Sequence, residues 1–107
     1  MAKKIFSGRV NANDGFDSPA SVHGPSGWSV DKHQQTEIYE ITHNLNLKDP
    51  EEQLHITVTA MKSGVVINVE DVSANSFVVS TWIGQTVPTD SDFMFVAVCY
   101  GKKSRLK

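Results

Sequence analysis

The segment from Gly64 to Trp82, GVVINVEDVSANSFVVSTW, constrains the fold most, because its apolar side chains recur with a period of two. Successive side chains of a β-strand point to opposite faces, so Ile67 and Val69 can line a core while Asn68 and Glu70 face water. Residues 73–76 are small and polar, and a β-branched and aromatic run follows them. This order predicts a β-hairpin.

Further segments with strand character lie on both sides of the hairpin. Pro50, followed by two acidic residues, can begin one helical turn and nothing longer. A chain of 107 residues is of the size of one domain. We therefore predict an all-β protein, an antiparallel β-sandwich of about six to seven strands with no significant helix. The strands outside the hairpin are predicted at residues 5–10, 27–30, 37–42, 54–61 and 92–100.

The chain divides into three predicted regions. Residues 1–26 comprise an N-terminal strand and an extended arm or loop, because two prolines and a glycine interrupt any periodicity after the strand. Residues 27–101 form the sandwich domain. Residues 102–107 form a basic C-terminal tail.

Charge is distributed unevenly along the chain. Six of the ten basic residues lie at the two ends, which leaves four in the body against all twelve acidic residues. An acidic body repels phosphate, so we expect no nucleic-acid partner. No apolar run is long enough to cross a bilayer, and none follows the first lysines as in a signal peptide. A single cysteine, Cys99, favours folding in a reducing cytoplasm as a buried, inert thiol.

The last strand is apolar on both faces, unlike the others. A two-layer sandwich buries only one face of each sheet, so the second face needs a cover. We expect other copies of the chain to supply it, which predicts a homo-oligomer, with a trimer as the expected form. Alternatively, the arm from Phe16 to Val30 folds over this strand within one chain. The predicted oligomer interface consists of Phe93, Met94, Phe95, Val96, Val98 and Tyr100.

The arm and the basic tail are the candidate contacts with a larger assembly. Leaving Phe16 or Val22 in water costs about 1.5–3 kcal/mol each, which favours their burial on a partner. The basic tail suits an acidic partner, or it remains solvated. The candidate docking residues are Phe16, Val22, Lys102, Lys103 and Arg105.

No catalytic or metal-binding pattern stands out in the sequence. The four histidines lack the spacing that places two ligands on one face beside a third, so ordinary surface histidines are expected. No serine lies in a nucleophile elbow, and no glycine-rich loop can cradle a phosphate. We expect no enzyme activity, no cofactor and no metal.

Trp82 lies where a strand meets a polar loop that contains Gln85. An exposed tryptophan with polar neighbours can stack on a sugar ring, which makes Trp82 and Gln85 candidate ligand-binding residues. Packing of Trp82 in the core or at an interface is the alternative.

Several of these segments together resemble a known family. Gly27-Trp28, the strand from Leu54 to Met61, the run VVINVEDVSANSFVVSTW and the closing FMFVAVCYG occur in the order of the H-type lectin fold. Small β-sandwich modules at the tips of phage tail fibres are similar. The resemblance covers residues 27–101 and implies a six-stranded antiparallel sandwich that forms trimers. It also implies a role for Trp82 in a sugar pocket.

We therefore expect a non-enzymatic phage or virus structural protein. It would be a small trimeric sandwich that attaches to the virion surface as a capsid decoration (cement) protein or a short head or tail fibre, made in the host cytoplasm and located in the virion. Its partners would be its own copies and a capsid or tail protein, with no membrane partner. The alternative is an H-type lectin-like, carbohydrate-binding receptor-binding domain that recognises a cell-surface glycan.

Overall fold

A computed structural model describes residues 3–12, 20–32, 38–84 and 87–101. Within these ranges the chain is almost entirely antiparallel β-structure, which confirms the predicted all-β sandwich, although the strand count of six to seven was too low. The described elements are β1 (Lys3–Asn11), β2 (Ser21–His23), β3 (Ser29–Lys32), β4 (Ile38–Thr42), α1 (Pro50–Gln53), β5 (Leu54–Ala60), β6 (Val65–Val72), β7 (Ser76–Ile83), β8 (Val87–Pro88) and β9 (Phe93–Tyr100).

The strands form two sheets. The four-stranded sheet has the order β2-β1-β9-β5, and the five-stranded sheet has the order β3-β4-β7-β6 with β8 paired to the end of β7. All pairings are antiparallel. The predicted hairpin is β6 and β7, and a bulge between Val69 and Asp71 shifts its register. Strand β9 therefore lies in the middle of its sheet, with β1 on one side and β5 on the other.

The two strands that the sequence did not predict are short. Strand β2 has three residues and β8 has two, so neither is long enough for an alternation of side chains to be visible. Both exist because a long neighbouring strand offers them a ladder of backbone groups: β1 for β2, and the end of β7 for β8.

The core lies between the two sheets and follows the predicted alternation. Tyr39 and Ile41 of β4 point inward and are fully buried, as the sequence predicts, and Ile67 and Val69 of β6 pack against the same core. An aromatic cluster joins the layers. The indole of Trp28 stacks on Phe95 at a centroid distance of 5.5 Å, and Phe95 meets Phe77 of the other sheet edge-on at 5.9 Å.

The predicted helical turn is present as α1. Pro50 occupies its first turn, where no backbone donor is needed. The side chain of Gln53 fastens the turn to the four-stranded sheet, because its Nε2 donates to the carbonyl oxygens of Tyr100 and Gly101, each over 3.3 Å. In the described part of the chain no helix has the length and apolarity needed to traverse a bilayer.

The N-terminal region differs from the predicted division at residue 26. Strand β1 pairs with β9 along its length, from Lys3 opposite Tyr100 to Val10 opposite Phe93. It is thus a central strand of the sandwich and no separate region. Residues 13–19 of the predicted arm lie outside the described residues.

Candidate functional surface

Strand β9 divides its side chains cleanly between two environments. Phe93 and Phe95 are 0% and 2% exposed and lie in the core, whereas Met94 and Val96 are 47% and 43% exposed on the opposite side. The predicted alternation of β9 is therefore confirmed. Only its inward face is covered by the described part of the chain.

Neighbouring strands extend this apolar surface. Ile5 of β1 pairs with Val98 and is 63% exposed, and Ser7 pairs with Val96. On the other side, Thr57 pairs with Val96 and Thr59 with Met94. We call this surface the outer sheet face; along β1, β9 and β5 it consists of Lys3, Ile5, Ser7, Arg9, His55, Thr57, Thr59, Asp92, Met94, Val96, Val98 and Tyr100.

The predicted oligomer interface divides accordingly. Met94, Val96, Val98 and Tyr100 lie on the outer sheet face, as an interface requires. Phe93 and Phe95 point into the core of their own chain, which removes them from the surface that another copy can reach. The sequence could not make this distinction, because a strand that is apolar on both sides does not indicate which side its own fold covers.

The candidate docking residues are only partly within the structure. Val22 lies opposite Val10 in β2 and packs against the core, so it serves the chain's own interior. Strand β2 extends the sheet sideways and does not cover the outer sheet face. The other candidates lie outside the described residues: Phe16, Lys102, Lys103 and Arg105.

Trp82 lies on the outward face of the five-stranded sheet, beside Val66 of β6 and Pro88 of β8. Its indole Nε1–H donates to Oγ of Ser80 over 3.0 Å, and that hydroxyl donates to Oε2 of Glu70. The ring is half-buried and held in one orientation, outside the central core. Its proposed companion Gln85 lies outside the described residues.

The outward face of the five-stranded sheet is acidic. Asp31 and Glu40 are cross-strand neighbours on it, and Oγ of Ser76 donates to Glu40 over 3.0 Å. With Glu70, this face carries at least three carboxylates, whereas the centre of the outer sheet face on the other side of the molecule carries none. The two outer surfaces of the sandwich thus differ sharply in charge.

A shallow depression of about 420 Å³ lies at one end of the sandwich, next to residues 90–92. Three of its charged groups are engaged in ion pairs: Arg9 Nη2 lies 3.6 Å from Oδ2 of Asp92, and Lys32 Nζ lies 3.0 Å from Oδ1 of Asp90. Oδ1 of Asp92 also accepts the backbone N–H of Ala12 over 2.7 Å. These pairs fasten the start of β9 to its neighbours and account for three of the four charged residues that line the depression, the fourth being Lys62.

The histidines occupy different environments. His23 and His55 are exposed on strands, and His33 lies outside the described residues. His43 is buried, contrary to the expected surface position, and its Nδ1 accepts the backbone N–H of Leu45 over 3.1 Å. Burial lowers its pKa, an effect that the Ser73 backbone partly offsets. No group of three or more metal-ligating side chains occurs among the residues described.

Cys99 lies on the inward side of β9 and is partly buried. Burial raises the pKa of its thiol, and Lys4 opposes this shift only in part. A thiol held in its neutral form is a poor nucleophile, which agrees with the interpretation of Cys99 as a packing residue.

No family model, curated protein or solved structure matches this chain. The resemblance to H-type lectin-like modules therefore rests on the sequence segments alone. The described surfaces themselves provide the remaining argument for function.

Sequence reasoning missed one prominent member of the outer sheet face. Ile5 is the most exposed large apolar residue of the described chain, and it extends the apolar stripe of β9 across to β1. The adjacent pair Ile5-Phe6 is apolar on both faces of its strand, as β9 is. This feature, which β1 shares with β9, could have indicated from the sequence that the two strands are neighbours in the sheet.

Proposed function

We propose that this protein is a non-enzymatic structural module of a virus or phage particle, which associates with its own copies and attaches to the particle surface. The single observation that carries the proposal is the outer sheet face, where Ile5, Met94 and Val96 are exposed side by side in the middle of a sheet. Exposed apolar residues that are contiguous, and not scattered singly, mark interaction surfaces. The viral setting is supported by the resemblance of residues 27–101 to fibre modules.

Deletion of the N-terminal region is not a usable test of this proposal. Removing residues 1–26 would take away β1, which pairs with β9 along its whole length, and would destroy the sheet. A substitution on the outer sheet face is a fairer test. Val96→Glu places a charge at a half-exposed position without removing any core contact, and Val66→Glu does the same on the other sheet, where Val66 is 42% exposed.

The experiment is co-sedimentation of the purified protein with particles that lack it. We expect the wild-type chain and Val66→Glu to sediment with the particles and Val96→Glu to remain in the supernatant. A variant that ends at Gly101 tests the contribution of the basic tail without removing a described element. If the wild-type protein does not bind particles at saturating concentration, the proposal is wrong.

Recognition of a carbohydrate is the second candidate, and one observation favours it. The indole of Trp82 is half-buried on the outward face, and its polar atom is already bonded to Ser80, so the ring is held in one orientation and its apolar face can serve for stacking. Glycan-array binding that Trp82→Ala abolishes, while self-association stays intact, would favour this candidate. Binding unchanged by Trp82→Ala would exclude this ring as the stacking platform.

A further inference from the structure

We propose that the outer sheet face packs against the same face of a second copy, around a two-fold axis that crosses the strands near the Phe6–Ala97 pair. The inference rests on the proposed self-association and names its partner and symmetry. It follows from the charge pattern of the two outer surfaces and from the register of β1 and β9.

The centre of the outer sheet face carries no lysine, arginine, aspartate or glutamate. Lys3 lies at one end of this face and the Arg9–Asp92 pair lies at the other. Between them, the outward positions of β1, β9 and β5 hold only aliphatic, hydroxyl, aromatic or histidine side chains. Such a surface can meet its own copy without repulsion between like charges at its centre. A contact around a two-fold axis requires this self-complementarity, because each residue near the axis lies opposite itself or a close neighbour.

The opposite surface of the sandwich does not meet this requirement. Asp31, Glu40 and Glu70 are on the outward face of the five-stranded sheet, so pairing that face with itself would bring carboxylates together. Like-charge contact across an interface is unfavourable and weakens the association. The apolar exposure and the charge pattern therefore select the same side of the molecule.

The register of β1 and β9 fixes the direction of the axis. Lys3 lies opposite Tyr100, and Arg9 lies opposite Met94, so Phe6 and Ala97 stand midway along both strands. An axis across the strands at this point turns one copy end for end. It places Val96 over Val98 of the second copy, and Met94 over Tyr100, a sulfur–aromatic contact that is favourable in its own right.

At its ends the same axis brings Lys3 of one copy over Arg9 of the other, because Met94 lies over Tyr100. The carboxylate of Asp92, which pairs with Arg9, offsets the positive charge there. The two Lys3 side chains lie about 20 Å apart along the strands. An axis parallel to the strands would keep both Lys3 residues at one end. The first arrangement is the one that places a carboxylate, Asp92 of the other copy, near each Lys3.

The size of the surface predicts the strength of the association. Three long strands spaced about 4.8 Å apart and about 24 Å long, together with the three-residue β2, give a face of roughly 400 Å² in projection. Two such faces amount to about 800 Å², below the roughly 1,200–2,000 Å² of stable interfaces. We therefore expect a weak dimer, to be sought at about 10 μM to about 1 mM.

The test is sedimentation equilibrium over that concentration range. We expect the mass to rise from 11.8 kDa towards twice that value. Val96→Glu should raise the dissociation constant about a hundredfold, because it brings two carboxylates together near the axis. Val66→Glu, equally exposed on the other sheet, should leave it unchanged, and circular dichroism should show that both variants are folded.

Cross-linking then tests the axis, in a Cys99→Ala background. A bismaleimide with a spacer of about 12 Å should join two copies of Val96→Cys, which lie close to the axis, but not two copies of Lys3→Cys, about 22 Å apart. A mass that stays at 11.8 kDa, a dimer indifferent to Val96→Glu, or efficient cross-linking of Lys3→Cys would overturn the inference. If the wild type reaches three times the monomer mass and Val96→Glu stays a monomer, the two-fold axis is wrong but self-association through this face is not. If the protein forms the dimer but does not bind particles, only the proposed function is overturned.

Discussion

Nδ1 of His43 accepts the backbone N–H of Leu45 over 3.1 Å, inside a protein whose other described histidines are exposed. The imidazole also lies 5.7 Å from the ring of Trp28. Since Nδ1 is an acceptor, the neutral ring carries its proton on Nε2, which makes no hydrogen bond of normal geometry with the residues described. Protonating Nδ1 would break the bond to Leu45 and bury a charge.

This arrangement predicts a loss of stability in mild acid. Burial lowers the pKa of His43 from its ordinary value of 6.5, so the folded state binds the proton less well than the unfolded chain does. The stabilising contribution is complete above pH 6.5 and is lost as the pH falls from there towards the lowered pKa of the folded state.

The melting temperature of the wild type should therefore fall more between pH 7.5 and pH 5 than that of His43→Phe, which cannot titrate. His55→Gln, at an exposed position, should behave as the wild type does. An imidazole titration by NMR that gives His43 a pKa of 6.5 or more would contradict the prediction.

Tyr39 predicts a corresponding loss of stability in alkali. Its hydroxyl donates to Oδ1 of Asp90 over 3.5 Å and accepts the backbone N–H of Ser91 over 3.3 Å. Burial, together with the nearby carboxylate of Asp90, raises the pKa of Tyr39 from 10.0 to about 12.

The folded state therefore holds the phenolic proton more tightly than the unfolded chain, and the stability that this provides is complete below pH 10 and lost as the pH rises towards about 12. Urea denaturation at pH 8, 10 and 11 should show the wild type losing stability faster than Tyr39→Phe. Parallel losses in the two proteins would show that Tyr39 does not titrate as proposed.

Trp28 should dominate the stability of the core. Its ring stacks on Phe95 of the four-stranded sheet at 5.5 Å and meets Phe77 of the five-stranded sheet edge-on at 6.2 Å, so it joins strands of both layers. We expect Trp28→Ala to lower the free energy of unfolding by about 3–5 kcal/mol, as large aromatic truncations in cores do. Trp82→Ala, on the outward face, should cost less than half as much. Urea denaturation of both variants measures the two losses. Equal losses of free energy would contradict the prediction that Trp28 contributes more to stability than Trp82.

Gly8 should tolerate no side chain. A Cβ atom there would lie 2.6 Å from the carbonyl oxygen of His23 and 2.8 Å from Cζ of Phe95, so β2 or the core must move. We expect Gly8→Ala to cost about 1–3 kcal/mol, the usual range for overpacking. Ser7→Ala, at the preceding exposed position, should change stability by less than about 0.5 kcal/mol. An unchanged urea midpoint for Gly8→Ala would contradict the close approach of β2.

The sequence predicted much of the fold but less of the candidate surface, and the reason differs from one element to the next. The hairpin of β6 and β7, the inward positions of Tyr39 and Ile41, and the alternation along β9 are local, because a period of two is visible in any long strand. Strands β2 and β8 are too short to show that period. His43 was expected at the surface, since the packing of Trp28 against it involves residues 15 positions apart in the chain.

By itself, the sequence determined that this chain forms antiparallel strands and that its last strand is apolar on both sides. Only the tertiary structure decided which side is interior. The pairing of β1 with β9 turns Phe93 and Phe95 towards Trp28 and Phe77, and leaves Ile5, Met94 and Val96 in water. The physical reason is that an alternating pattern specifies two faces but not their neighbours, and the choice of neighbours depends on contacts between segments that are distant in the chain.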